Sequence, residues 1–122
     1  MQDFDIPIFS KSYDLYKALY GYRTAIPKQD RYALWQKCEN LVLEIIENLL
    51  IASQLTKEEK LPKLEKISLE LNTLRIFIRL AKEIKAIDNK KYVTLQANLD
   101  EIGKMLGGWI KSVKILKQNT PQ

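Results

Sequence analysis

With 122 residues, 46% apolar and 29% charged side chains, the chain can fold around its own core without metal or disulfide support, and its composition argues against disorder. Its one cysteine, Cys38, excludes an internal disulfide framework, and the absence of histidine removes Ser-His-Asp and Cys-His catalysis and most zinc patterns. The net charge of +5 is lopsided: residues 1–56 carry 6 Lys/Arg against 7 Asp/Glu and residues 57–122 carry 14 against 8, which favours a polyanionic partner, nucleic acid before an anionic membrane, with a solvated lysine-rich helix face as the common alternative that charge alone does not exclude.

The first predicted helix runs from Ile8 to Arg23. Phe9, Tyr13, Tyr16 and Tyr20 recur at helical spacing, widened by Leu15, Leu19 and Tyr22, and are expected to pack in the core rather than stack on bases. Gly21 and Ile26-Pro27 end it, because a residue before proline is driven out of the helical region. Pro27-Lys28-Gln29-Asp30 then turns into a second helix whose broad apolar face comprises Leu34, Trp35, Cys38, Leu41, Val42, Ile45, Ile46 and Leu49. Lys37, Glu39, Asn40, Glu44, Glu47 and Asn48 fall opposite it or at its edges. Cys38 reads as a small buried hydrophobe.

Thr56 and Glu59 form a capping-box signature for a third helix reaching about Ile87, with Pro62 as the point where its regular part is expected to begin. This helix carries an inner stripe of Ile67, Leu71, Leu74, Ile78 and Ala81 and an outer one of Leu69, Ile76, Phe77, Leu80 and Ile84. The outer set is assigned to a second helix or a second copy of the chain. Between the stripes Arg75, Arg79 and Lys82 follow one another at i, i+4 and i+7. They offer a phosphate-binding seam, or equally well partners for acids on a neighbouring helix.

Asp88 or Asn89 caps a fourth helix built on Tyr92, Leu95, Leu99, Ile102, Leu106, Trp109, Ile110, Val113 and Leu116. Gly103, Gly107 and Gly108 each weaken a helix by about 1 kcal/mol relative to alanine. Close approach of another backbone at Gly103 and Gly107, one turn apart on one side, is the preferred reason, and a break at Gly107-Gly108 the alternative. From Lys104 onward Lys104, Lys111, Lys114 and Lys117 appear with no acid.

Four helices with short turns predict an all-α, up-down-up-down antiparallel four-helix bundle. It is expected to form a single domain over 1–122 with flexible ends at 1–7 and 118–122. No apolar run reaches membrane length, and Met1-Gln2-Asp3-Phe4-Asp5 lacks the features of a signal peptide, so a cytoplasmic protein without a membrane partner is expected. The carboxylates could bind a hard cation, but no Glu-x-x-His pattern accompanies them. No enzyme, cofactor or metal site is expected.

Ile26-Pro27-Lys28, Leu74-Arg75-x-x-x-Arg79-Leu80 and Glu101-Ile102-Gly103-Lys104-Met105-Leu106-Gly107-Gly108-Trp109-Ile110 together resemble the accessory variability determinant proteins of diversity-generating retroelements. These are close in turn to the four-helix-bundle proteins encoded in ribosomal RNA intervening sequences. The resemblance implies a non-enzymatic bundle assembled as a homopentameric barrel with a basic surface. It implies association with the element's reverse transcriptase and with template RNA or its cDNA, in support of mutagenic retrohoming. The motif carries over functional positions at Arg75 and Arg79 only. Lys82, Lys104, Lys111 and Lys114 are added from charge geometry. The alternative is a scaffold or adaptor bundle of the intervening-sequence type that binds no nucleic acid.

Overall fold

The structure, a computed structural model, describes residues 6–118. Its elements are α1 (Ile6–Tyr22), a 3-10 turn (Arg23–Ala25), a helical lead-in made of Lys28–Asp30 and a π turn (Arg31–Trp35), α2 (Gln36–Ser53), α3 (Lys57–Glu83) and α4 (Asn89–Gln118). Of the ends expected to be flexible, residues 1–5 and 119–122 lie outside the described residues. Ile6, Pro7 and Gln118 are helical.

α1 buries Ile8, Ser12, Leu15 and Leu19, spaced i, i+4, i+7 and i+11. This corrects the expected tyrosine-centred stripe. Tyr13 and Tyr20 are exposed, whereas Phe9 is buried and Tyr16 half-buried. The reason is Ser12, whose hydroxyl donates to the Ile8 carbonyl at 2.8 Å. A hydroxyl satisfied inside its own helix can occupy the core line. The tyrosines, which carry a polar tip, then take the flank.

After Pro27 the Arg31 guanidinium donates through Nη2 to the Thr24 and Ile26 carbonyls, at 3.2 and 3.1 Å, and so ties the lead-in to the end of α1. The Trp35 ring is buried and its Nε1 donates to the Leu19 carbonyl at 2.9 Å. α2 then buries Cys38, Val42, Ile45, Leu49 and Ala52 as the periodicity predicts. Glu39 and Asn48, expected at or beyond the edge of the apolar face, are buried too. Each found a cross-helix partner: Arg23 Nε donates to Glu39 at 2.9 Å, and Asn48 Nδ2 donates to Glu70 at 2.9 Å.

Thr56 caps α3 as expected, its hydroxyl accepting from the Glu59 N–H at 3.4 Å and donating to the Glu59 carboxylate at 2.9 Å. The helix begins at Lys57 and passes through Pro62 without interruption, contrary to the expected start at Pro62. Proline in the second turn removes only the donor that would reach the carbonyl of Glu58, an exposed residue that water can serve. Leu64, Ile67, Leu71, Leu74, Ile78 and Ala81 are all buried, so the inner stripe is as read. Each fully buried Leu or Ile contributes about 1.5–3 kcal/mol of transfer free energy.

α3 closes with the Ala86 N–H on the Ala81 carbonyl (2.8 Å) and the Lys85 N–H on the Lys82 carbonyl (3.0 Å). That Schellman pattern forces Lys85 to φ 64, a place ordinarily filled by glycine. Asp88, rather than Asn89, caps α4 by accepting the Lys91 N–H at 2.9 Å. α4 buries Leu95, Leu99, Ile102, Leu106, Trp109 and Val113 and runs unbroken through Gly107-Gly108.

Cross-helix pairs set the topology. Between α3 and α4 Lys82 meets Tyr92, Arg75 meets Asp100 and Lys60 meets Trp109, so one number falls as the other rises. Lys11 with Glu101 and Tyr22 with Lys91 show the same antiparallel relation for α1 and α4. The described helices therefore surround one core up-down-up-down. No helix among the described residues is long and apolar enough to cross a membrane.

Candidate nucleic-acid interface

The cations singled out in the sequence lie along one flank of the bundle, where α3 and α4 pack together. Lys82 is level with Tyr92, its Nζ standing 4.4 Å from the ring centroid. Lys114 lies 22 residues further along α4, so at 1.5 Å per residue the row spans roughly 33 Å. Lys104, Lys111 and Lys114 are exposed and form no ion pair among the described residues. Lys104 and Lys111 are two turns apart on one line of the helix, and Lys114 follows at i+3. Arg79 is exposed and pairs with Glu83 on its own helix at 3.2 Å, an arrangement that costs a competing phosphate little to displace.

Arg75 behaves differently. It turns across the groove, with Nη1 bound to the Asp100 carboxylate and Nη2 donating to the Leu99 carbonyl at 3.1 Å. Its Nε is buried without a partner among the described residues. Gly103 makes this possible, because a Cβ there would stand 2.6 Å from Arg75 Nη2. The expected close approach at Gly103 is therefore real, but a guanidinium rather than a backbone makes it. At Gly107 and Gly108 a Cβ would meet nothing within 4 Å, so neither glycine is explained by a close approach. Around Arg75 the groove is lined by Ser68, Asn72, Asp100, Gly103 and Lys104, a concavity of about 420 Å³.

Thus the structure brings Arg75 and Lys104 into one groove, sets Arg79 and Lys82 on the α3 side, and spaces Lys111 and Lys114 along α4. The sequence reading missed Asp100 and the Leu99 carbonyl as Arg75's partners. A glycine inside a helix offered a signal, but only the antiparallel opposition of α3 and α4 connects it with Arg75.

The outer stripe of α3 divides. Leu69 and Ile76 are 67% and 66% exposed, and Leu80 and Ile84 are also exposed, whereas Phe77 is half-buried against the core beside α2. Phe77 therefore meets a helix of its own chain. A second exposed apolar set, Tyr13, Tyr20, Leu43 and Leu50, lies on α1 and α2. Leu43 and Leu50 follow Glu39 at i+4 and i+11, on the side of α2 that faces Arg23.

Two observations concern metal-ligating and nucleophilic groups among the described residues. No three His, Cys, Asp or Glu side chains there could hold a metal ion. Burial, with a smaller contribution from the Glu39 charge, pushes the Cys38 thiol up to about 12, so it stays protonated and unreactive at neutral pH.

In comparison with known protein families, a family model described as bAvd-like matches residues 7–113. A search of curated proteins finds no match.

Proposed function

We propose that this chain, which belongs to the bAvd-like family, serves as a non-enzymatic accessory protein of a diversity-generating retroelement. In this reading it associates with the element's reverse transcriptase and binds template RNA or cDNA through the α3–α4 flank. The observation that carries the nucleic-acid part is the row of exposed, unpaired cations Lys104, Lys111 and Lys114, continued by Arg79 and Lys82. Phosphates neutralised by such a row release counterions, so affinity falls steeply with salt. Replacing Lys104, Lys111 and Lys114 by alanine is expected to weaken single-stranded RNA binding and to reduce the log–log salt slope by about 2. An unchanged slope would remove these residues from the interface.

Self-assembly belongs to the same proposal, with a homopentamer as the expected ring. Leu69, Ile76, Leu80 and Ile84 form one exposed apolar face and Tyr13, Tyr20, Leu43 and Leu50 a different one. Two unlike faces pair head to tail, the geometry that closes into a ring when the rotation per copy allows it. Light scattering of the wild type is expected to give an oligomer, and Ile76→Glu with Leu80→Glu a monomer. A monomeric wild type would sink this part.

One observation favours a second reading, a scaffold or adaptor that binds no nucleic acid. Arg75, the motif's first arginine, is committed to Asp100 and the Leu99 carbonyl rather than left free. That reading predicts no retention of the protein on RNA at physiological salt.

A further inference from the structure

At the end of the bundle where α3 turns into α4, a concavity of about 500 Å³ is lined by Lys82, Lys85, Lys91, Asp88, Asn89 and Ala25 among others. Its lysines come from three backbone settings: the last turn of α3, the left-handed residue of the connection, and the first turn of α4. Two of them are held in place. Lys82 stands 4.4 Å from the Tyr92 ring centroid and Lys91 stands 5.6 Å from that of Tyr22, so aromatic faces fix their ammonium groups at the wall. Lys91 also meets Asp88 at 3.3 Å, whereas neither Lys82 nor Lys85 is ion-paired among the described residues.

The third lysine is the informative one. Lys85 occupies φ 64, where a side chain is strained and glycine would be free of penalty. A cation is thus kept at the rim of a cationic concavity against the backbone's own preference. The three ammoniums and the single Asp88 carboxylate leave two positive charges on the lining. A phosphate monoester carries about −1.5 to −2 charges and three strong acceptor oxygens and matches that balance. A phosphodiester, with one charge, leaves half of it uncompensated.

We propose that this concavity is a binding site for a phosphate dianion with at least three free oxygens, whether inorganic or a monoester. The chemistry has two sources, free inorganic phosphate and the terminal phosphate of a nucleic-acid strand. The site does not depend on the α3–α4 flank binding nucleic acid, since inorganic phosphate alone can fill it.

The test is an NMR titration of the full chain at pH 8 with inorganic phosphate, against sodium chloride at matched ionic strength. Alongside it, a 5′-phosphorylated and a 5′-hydroxyl single-stranded oligonucleotide of one sequence are compared for affinity. Saturable shifts at Lys85, Ala86 and Asn89 with phosphate alone, together with at least fivefold tighter binding of the phosphorylated strand, assign the site to a strand end. Saturable shifts with equal affinity for both strands assign it to free phosphate. Lys85→Gly removes one ammonium while relaxing the backbone, so the fold is retained, and it is expected to weaken phosphate binding at least fivefold. Identical responses to phosphate and chloride overturn the proposal, as does phosphate binding unchanged in Lys85→Gly.

Discussion

Arg23 and Arg75 each reach a carboxylate on a neighbouring helix, but burial is distributed oppositely in the two pairs. In the first, Glu39 is 3% exposed and Arg23 37%. In the second, Arg75 is the more enclosed at 31%, and Asp100 is 60% exposed. A carboxylate taken out of water depends on its cation, because without it the charge stays buried and uncompensated. A carboxylate that remains hydrated loses little when its partner goes. The Arg23 pair therefore belongs to the fold, while the Arg75 pair fixes where one guanidinium sits on a surface groove.

The sharpest way to break that contrast is to remove each arginine. Arg23→Met is expected to lower the melting temperature by roughly 5 °C or more, with Glu39→Gln in the same chain restoring most of it. Arg75→Met should cost less than half as much by the same circular-dichroism melt. Equal losses would show that the two pairs are of one kind.

The buried side of the comparison also has an alkaline signature. The native thiol of Cys38 keeps its proton up to about 12, whereas an unfolded thiol loses it near 8.5. Above that lower value the native state binds more protons than the unfolded one, so this contribution is complete below about pH 8.5 and fades as pH rises. Between pH 9 and 10 the wild type should lose about 1.2 kcal/mol more than Cys38→Ala, measured by urea melts at both pH values. Parallel pH dependence in the two proteins would deny the thiol its enclosed setting.

On the exposed side the glycines separate Arg75's position from plain helix propensity. Gly107→Ala, with open space for its Cβ, is expected to stabilise by up to about 1 kcal/mol. Gly103→Ala should gain less, because its Cβ displaces Arg75 Nη2 from the Leu99 carbonyl. Matching gains in urea titrations would mean that Arg75 moves aside without loss. The smallest effect is expected for Asp100→Asn, within about 0.5 kcal/mol of wild type, since the acid it neutralises is already hydrated.

Helix number, order and the inner face of α3 were legible because they follow from apolar periodicity, and the Thr56 cap because its side chain acts within one turn. What periodicity could not reveal was polar burial. Ser12, Glu39 and Asn48 count against a core position until their partners are known, and two of those partners lie 16 and 22 residues away. The same limit hid the groove: Arg75, Asp100 and Gly103 become one constellation only when α3 and α4 lie antiparallel. Lys85 was legible as a cation beside the arginines, but its left-handed backbone was not, because a lysine gives no sign of one. The cationic flank, by contrast, could be named residue by residue, since exposed lysines need no partner to stay where the helix puts them.

The π turn at Arg31–Trp35 has a consequence for chain length. A wider turn of this kind is equivalent to one residue inserted into a regular helix. Deleting the exposed Ala33 would restore the regular winding while leaving the residues before it near their present phase relative to α2. Arg31 would then keep its reach to the Thr24 and Ile26 carbonyls that it bridges. The bundle thus carries a site inside a helix where the chain can lose one residue, although helical periodicity alone would suggest that any change of length there shifts the core.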